Sequence, residues 1–128
     1  MSGWAKIVML GLLFMLTGCA GRQPAPESRL HHIVLCWLKE PGNRQQRQQI
    51  IEVSRSLREI PGVLAVHAGA VVPSDRGIVD DSFDVAIIVV VPDAARLAEY
   101  LVHPIHRAAR DNFLLPLVDR IVVYDFTD

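Results

Sequence analysis

Cysteine is scarce in this sequence, and basic charge is neither in excess nor clustered. The 128 residues include two cysteines, Cys19 and Cys36, and 13 Lys and Arg against 14 Asp and Glu. The even charge balance argues against a nucleic-acid partner. The acidic residues Asp80, Asp81 and Asp84 lack the spacing and the glycine of a calcium loop and read as a solvated turn. We therefore expect no metal, no cofactor and no nucleic acid.

The chain also lacks an apolar run long enough for a stable transmembrane helix. One cation, Lys6, precedes an uncharged apolar run over 7–16, whose length fits the central region of a secretory signal. The run ends in Leu16-Thr17-Gly18-Cys19, which resembles the lipobox of bacterial lipoproteins. In those proteins the signal is cut just before a cysteine that is then acylated. The alternative is a buried N-terminal helix that happens to end in cysteine.

The lipobox resemblance implies a signal peptide over 1–18 and a lipid anchor, such as palmitate, on Cys19. Ala20 rather than Asp follows the cysteine, which implies sorting to the outer membrane with the protein facing the periplasm. Residues 19–29 then form an acylated tether, and 30–128 form one small domain. With Cys19 acylated, Cys36 is the remaining thiol and no internal disulfide forms; we read it as buried and inert rather than redox-active.

Apolar runs and turn signals predict the order of elements in the domain. Pro41-Gly42 and Pro61-Gly62 are strong breaks, and Pro104 stops one helix and starts another. Asn43 followed by Gln46 is typical of a helix start. The predicted elements are strands over 31–39, 63–72, 83–91 and 120–126, a helix from 44 to 60, and a helix over 94–102 that restarts at Pro104 and reaches about Leu115.

This order, β-α-β-β-α-β with a broken second helix, predicts the α+β fold class and a ferredoxin-like arrangement. In such a domain the helices cover one face of the sheet, and the other face of a monomer is polar. Here the strands at 31–39, 83–91 and 120–126 are apolar on both faces. An open apolar face of that size exceeds what soluble monomers expose, so we predict a homodimer packed sheet to sheet.

The candidate site is the stretch Tyr100-Leu101-Val102-His103-Pro104-Ile105-His106. His106 falls in the first turn of the helix that Pro104 starts, where the helix dipole disfavours imidazolium. A neutral imidazole beside a tyrosine suits proton transfer, but the same residues also suit a packed helix corner. The proline between His103 and His106 removes the continuous helical face that a metal pair needs, and His103 reads as a helix cap. His67 reads as an edge or interface residue.

Five segments resemble the stress-responsive A/B barrel (Dabb) family, over nearly all of 30–126. They are His32-Ile33-Val34-Leu35, Ile60-Pro61-Gly62-Val63, Phe83-Asp84-Val85-Ala86, Tyr100-x-x-His103-Pro104-x-His106 and the closing Asp119-Arg120-Ile121-Val122-Val123-Tyr124-Asp125-Phe126.

The resemblance implies ferredoxin-like units that pair into a dimeric α+β barrel, with a pocket between sheet and helices. In a plant polyketide cyclase of the family, the tyrosine and the last histidine of the motif act as acid and base, which implies those roles for Tyr100 and His106. A further pocket histidine of that enzyme is replaced by Val85 here, so the cyclase set is incomplete. The expected ligand-binding residues are His32, chosen over His31 from the family pattern, with Val34, Cys36, Val85, Ile87 and His103.

Three functions stay open from the sequence. The first is a lipid-anchored dimeric module that binds a small hydrophobic or aromatic compound in a stress-related role. The second is an enzyme with cyclase-like or lyase-like chemistry at Tyr100 and His106. The third is a purely structural stress protein. An open pocket at Tyr100 and His106 favours the first two functions, and a filled one favours the third.

Overall fold

The computed structural model describes residues 27–128. The predicted signal peptide and the proposed lipidation site Cys19 lie outside these residues. The domain contains four strands, three α-helices and two short turns of other helical types. They are β1 (Leu30–Leu38), α1 (Arg44–Ser54), a 3-10 turn (Arg55–Glu59), β2 (Ala65–Ala70), β3 (Val85–Val91), α2 (Ala94–Val102), α3 (Pro104–Ala109), a π-helical turn (Arg110–Leu114) and β4 (Val118–Thr127).

The strands form one antiparallel sheet in the order β2-β3-β1-β4. This is the ferredoxin-like arrangement, so the predicted fold class and order of elements are confirmed. β2 is shorter than the predicted 63–72, and β4 begins two residues before the predicted 120. The central pair is in register with Val34 opposite Ile87, and β4 continues that row with Val123 opposite Val34.

Local signals explain where α1 begins and where the chain turns after it. The Asn43 side chain accepts a hydrogen bond from the backbone N–H of Gln46 at 3.0 Å, which satisfies one of the free donors of the first turn. Apolar side chains then face the sheet, and Ile50 is fully buried. Gly62 ends the segment at φ +86°, a left-handed conformation that side chains with a Cβ disfavour.

The second helix is broken at Pro104, as the sequence predicts. Asp93 caps α2 by accepting from the N–H of Arg96 at 2.8 Å. His103 ends α2 in an extended conformation and caps α3, because its Nδ1 accepts from the N–H of Ile105 at 3.2 Å. The chain after α3 widens into the π-helical turn, where the Leu115 N–H bonds to the Arg110 carbonyl at 2.9 Å. Such turns recur at functional sites.

The helices pack on one face of the sheet and leave the other face open. Even-numbered residues of β1 point toward the helices, and with their neighbours on β3 they form the core. The opposite face is apolar and has no cover from the described elements. Its aromatic residues Tyr124 and Phe126 are exposed, and Phe126 stacks on His31 with ring centroids 4.6 Å apart. This open face therefore has the apolar character that the sequence predicts.

One expectation about the loop before β3 is wrong. Asp84 does not belong to a solvated turn: its side chain is buried and accepts four hydrogen bonds. The donors are the backbone N–H of Leu38 at 2.9 Å, the N–H of Gly42 at 2.8 Å, and Nε and Nη2 of Arg47 at 3.0 and 2.7 Å. Arg47 thus pairs with Asp84 and ties α1 to the sheet. Asp80 is exposed, and its carboxylate accepts hydrogen bonds from the backbone N–H and the hydroxyl of Ser82.

None of the helices within residues 27–128 is long and apolar enough to cross a membrane.

Candidate functional site

A cavity of about 230 Å³ lies between the helices and the covered face of the sheet. Its walls are mostly apolar, and Tyr100, His106 and His32 supply polar groups at one side. The volume is below the roughly 300–1,000 Å³ of pockets for drug-sized ligands, so the cavity suits a smaller compound. The lining residues are His32, Val34, Ile50, Val53, Ser54, Leu57, Ile87, Tyr100, Leu101, His106, Ala109, Arg110, Leu114, Ile121 and Val123.

Tyr100 is 3% exposed, and burial raises the pKa of its phenol well above the ordinary value. The phenol is therefore a hydrogen-bond donor rather than a base near neutral pH. Its hydroxyl has no hydrogen-bond partner within residues 27–128. In that part of the chain, the one fully enclosed side-chain polar atom without a partner is Oε1 of Gln46. The hydroxyl of Tyr100 is therefore not fully enclosed, and Tyr100 is one of the residues that line the cavity.

His106 contacts Tyr100 through its ring, with centroids 4.6 Å apart at an angle of 53°. The two side chains do not form a direct hydrogen bond with each other. Instead, His106 Nδ1 lies 3.0 Å from the carbonyl oxygen of Leu101. A carbonyl only accepts, so Nδ1 carries the proton of the neutral ring and Nε2 keeps a free lone pair.

The pKa of His106 lies below that of an ordinary histidine. Burial is the main cause, and the positive charge of Arg110 and a contribution from His32 act in the same direction. The hydrogen bond to Leu101 opposes these effects without cancelling them. The imidazole is therefore neutral at pH 7, as expected from the sequence, although burial rather than the helix start is its main cause. Nε2 can accept a proton or a hydrogen bond there.

His32 is the third polar group of the cavity. It lies on β1, directly opposite Asp125 of β4, and its Nδ1 is 2.7 Å from Oδ1 of that residue. The carboxylate accepts from Nδ1–H, which fixes the ring, and in the neutral form of the ring Nε2 is the acceptor. The ring of His32 meets Tyr100 edge to face, with centroids 6.0 Å apart. Asp125 was not among the predicted residues, because only the register of β1 and β4 brings it to His32.

The structure brings together five of the residues that the sequence singled out for this pocket: His32, Val34, Ile87, Tyr100 and His106 all line the cavity.

Three other predicted ligand-binding residues lie elsewhere. Cys36 and Val85 pair across β1 and β3 on the covered face, but both are fully enclosed in the core and do not line the cavity. Burial raises the pKa of the Cys36 thiol to about 12, which keeps it protonated and unreactive. His103 uses its side chain to cap α3 and also does not line the cavity.

Four of the residues that line the cavity around the broken helix and β4 were not predicted from the sequence. Arg110 and Leu114 of the π-helical turn line the cavity, as do Leu101 of α2 and Val123 of β4. The period-two pattern of β4 signals Val123, since it is two residues before Asp125 on the same face. Nothing in the sequence signals the π-helical turn. Within residues 27–128, no group of three or more His, Cys, Asp or Glu side chains is placed to hold a metal ion.

Fold and site together define a ferredoxin-like α+β domain with a small apolar cavity and a tyrosine and two histidines at one side. Residues 30–128 match the stress responsive A/B barrel domain, Dabb. The chain therefore belongs to the Dabb family, as the sequence motifs indicated. Curated protein sequences give no match to it.

Several solved structures share the fold. A dimeric ferredoxin-like protein of unknown function from Thermobifida fusca is 24% identical, with 80% of this chain and 93% of that chain covered and a TM-score of 0.64. A Dabb family protein from Mesorhizobium loti is 20% identical, with 77% and 95% covered and a TM-score of 0.61. Hydroxynitrile lyase from Passiflora edulis is 23% identical, with 80% and 95% covered and a TM-score of 0.66.

Proposed function

We propose that this Dabb protein is a lipid-anchored homodimer of the cell envelope that binds a small hydrophobic or aromatic compound in a stress-related role. The observation that carries the proposal is the cavity of about 230 Å³ into which Tyr100 presents a hydroxyl without a protein partner. A filled core at this position would instead have favoured a purely structural role. The compound carries an oxygen, because an oxygen acceptor satisfies the phenol.

The polar groups define how such a compound sits. Tyr100 donates to its oxygen, and Nε2 of His106 or His32 accepts from a hydroxyl on the same compound. The apolar walls cover its hydrocarbon part. A hydrogen bond contributes about 0.5–1.5 kcal/mol net, so each of these contacts changes affinity by roughly two- to tenfold.

Native mass spectrometry of protein purified from its own envelope tests the proposal, because it reports the oligomer and any bound compound together. A fluorescence titration with 2-naphthol, a small aromatic alcohol, provides a defined probe. We expect Tyr100→Phe to weaken 2-naphthol binding by roughly two- to tenfold. Tyr124→Phe is the matched control, since Tyr124 lies on the opposite face of the sheet and does not line the cavity, and the change keeps its ring for the proposed dimer contact. Protein that carries no compound and does not bind 2-naphthol refutes the proposal.

An enzyme of the lyase class is the second candidate, and the hydrogen-bonding state of His106 favours it. A neutral ring with Nδ1–H held by Leu101 leaves Nε2 as a base next to the phenol of Tyr100. With an aromatic cyanohydrin, Nε2 takes the hydroxyl proton while the bond between the carbinol carbon and the nitrile carbon breaks. The aldehyde forms, and cyanide leaves with the electron pair and is then protonated.

Aldehyde release from an aromatic cyanohydrin tests this second candidate. His106→Ala abolishes turnover if Nε2 is the base, whereas His67→Ala, an exposed histidine of β2, leaves it unchanged. Absence of turnover in the wild-type protein rejects the enzyme and leaves the binding function standing. Abolished turnover in His106→Ala, together with a loss of 2-naphthol affinity of no more than about tenfold, supports the enzyme.

The proposed homodimer uses the open sheet face. Ile33, Leu35 and Val122 lie on that face beside Tyr124 and Phe126, so a second copy removes a continuous apolar surface from water. The Thermobifida fusca relative with the same fold is described as dimeric. Analytical ultracentrifugation distinguishes the states. We expect a dimer at micromolar concentration and a monomer after Leu35→Asp; a wild-type monomer contradicts the proposal.

The proposed anchor rests on Leu16-Thr17-Gly18-Cys19 and on the apolar run before it. The protein then resides in the outer membrane and faces the periplasm. Intact-mass measurement of the protein from membranes tests this: we expect an N-terminus at Cys19 with added acyl mass, and loss of both after Cys19→Ala. A chain that still begins at Met1 and floats free of membranes contradicts it.

A further inference from the structure

The mouth of the cavity is formed by those lining residues that also reach the surface. Leu101 is 38% exposed and Val123 is 46% exposed, and the third is Arg110, whose side chain is 44% exposed and pairs with Asp111. Two of these three side chains are apolar. A compound that enters the cavity therefore passes an apolar rim.

Further exposed apolar residues are adjacent in the chain to the lining residues. Val102, 57% exposed, follows Leu101, and Phe113 and Leu115, both exposed, flank the lining residue Leu114 in and after the π-helical turn. Half of the large hydrophobic side chains that are exposed within residues 27–128 thus lie at the mouth or next to it in the chain. We call Leu101, Val102, Phe113, Leu115 and Val123 the mouth patch.

The proposed dimer does not account for the mouth patch. Val123 points to the covered face of the sheet, as its register opposite Val34 shows, while Tyr124 and Phe126 point to the open face. A second copy on the open face therefore leaves the mouth patch in solvent. Apolar patches beyond scattered single residues indicate a contact with another molecule or with a membrane.

Chain length fixes how far the domain can be from the bilayer. If Cys19 is acylated, residues 19–29 are the whole connection between the lipid and β1, which begins at Leu30. Even fully extended, eleven residues span at most about 36–40 Å. The domain is therefore always within roughly its own diameter of lipid, and a bilayer is the apolar partner present at the highest local concentration.

We propose that the mouth patch docks on the phospholipid surface that carries the anchor, and that the cavity exchanges its apolar ligand with the lipid phase. The proposal rests on the lipid anchor and the binding function proposed above. It deepens them by naming the ligand class: a small compound that partitions into membranes, with one oxygen group for Tyr100. Its route into the cavity avoids water.

Fluorophore labelling of the acylated protein in vesicles tests the docking. The sites are Val102→Cys and Leu115→Cys in the mouth patch and Ile78→Cys as control, since Ile78 is 93% exposed but lies in the loop between β2 and β3. Each variant is labelled with an environment-sensitive dye; Cys36 is fully buried and Cys19 is blocked by its acyl group. The vesicles contain phosphatidylethanolamine and phosphatidylglycerol, with or without bromine on the acyl chains.

We expect bromine to reduce emission at positions 102 and 115 at least about twofold and to leave position 78 unchanged, because docked apolar faces enter the boundary between headgroups and acyl chains. A blue shift at 102 without bromine quenching indicates a protein contact and overturns the docking. Equal quenching at all three sites overturns it too, since the domain then has no preferred face.

Failure of the docking and failure of the anchor are distinguishable in the same preparation. Intact mass shows whether Cys19 carries acyl groups. An acylated protein without quenching at 102 and 115 refutes the docking and leaves the anchor in place. A protein without acyl groups refutes the anchor, and the docking, which depends on it, fails as well.

Ligand exchange gives an independent readout. We expect Val102→Asp to slow the transfer of 2-naphthol from vesicles to the protein at least about tenfold, while its equilibrium affinity in solution stays the same. Ile78→Asp is the matched control at a residue far more exposed. Equal transfer rates for the two variants contradict exchange through the mouth patch.

Discussion

Asp84→Asn is predicted to destabilise the domain strongly, because the carboxylate of Asp84 is a buried junction of three segments. It holds the end of β1 through Leu38, the turn before α1 through Gly42, and α1 itself through Arg47. Removing one partner of a buried ion pair costs about 3–5 kcal/mol. For a domain of this size, 3 kcal/mol corresponds to a fall in Tm of roughly 12–24 °C.

Denaturant and thermal unfolding measure this effect at fixed protein concentration. Asp75→Asn, at an exposed aspartate, is the control and is expected to change stability by less than about 0.5 kcal/mol. A double variant with Arg47→Met separates the ion pair from the backbone contacts. If Asp84→Asn changes stability no more than Asp75→Asn, then Asp84 does not hold these segments together.

The lowered pKa of Asp84 also predicts how the stability of the domain changes in acid. Burial alone would raise the pKa of Asp84, but hydrogen bonds from Leu38, Gly42 and Arg47 outweigh burial and lower it below 3.8. A carboxyl whose pKa is lower in the folded protein contributes its full stability above its unfolded pKa, and this contribution falls as the pH drops through the folded pKa. We expect the stability lost by the wild-type protein below about pH 4 to be smaller in Asp84→Asn.

Three further predictions concern the site and the turn before β2. Asp125→Ala removes the acceptor of His32 Nδ1–H, so the ring nitrogen chemical shifts of His32 change in NMR spectra; unchanged shifts contradict a positioning role for Asp125. Because the pKa of His106 is lowered, 2-naphthol affinity falls in acid at a lower pH than it would with a histidine of ordinary pKa, and a fall that begins at or above the ordinary value contradicts this. Gly62→Ala, at φ +86° with its Cβ 3.1 Å from a neighbouring arginine side chain, lowers the unfolding free energy by about 1–2 kcal/mol, whereas Gly77→Ala, with nothing within 4 Å, does not.

The order of elements was predictable because its signals are local. Pro41-Gly42, Pro61-Gly62 and Pro104 each interrupt the chain within two residues, and a capping side chain acts over three. Strands are indicated by runs of β-branched and apolar residues. Each of these effects acts between neighbours, so sequence alone contains it.

Burial of Asp84 was not predictable in the same way. Its partner Arg47 is 37 residues away, and the backbone N–H of Leu38 is 46 residues away. Seen locally, Asp84 extends a polar run that includes Asp80 and Asp81. Only the tertiary structure brings two backbone donors and a guanidinium to one carboxylate, which then tolerates burial.

In the candidate site too, local features were predictable and long-range contacts were not. The expected binding residues Val34, Cys36, Val85 and Ile87 all point to the helices. Which of these residues line the cavity depends on where the helices lie across that face, and the periodicity of the sequence does not predict the position of the helices. Cys36 and Val85 are consequently sealed in the core while Val34 and Ile87 line the cavity. Asp125 needed the register of β1 and β4, a long-range property as well.

The proline break explains why Tyr100 and His106 have opposite proton roles. An unbroken helix would satisfy the Leu101 carbonyl with a backbone N–H, but Pro104 interrupts that ladder and leaves the carbonyl to His106 Nδ1. This bond fixes one nitrogen as donor and frees the other as acceptor, while burial lowers the pKa of His106 and raises that of Tyr100. Two groups whose pKa values are pushed apart act as base and donor at one pH. In the proposed function, Tyr100 donates to an oxygen of the compound and Nε2 of His106 accepts from its hydroxyl. If the hydroxyl proton is transferred to Nε2, the site catalyses a reaction; if it is not, the site binds the compound.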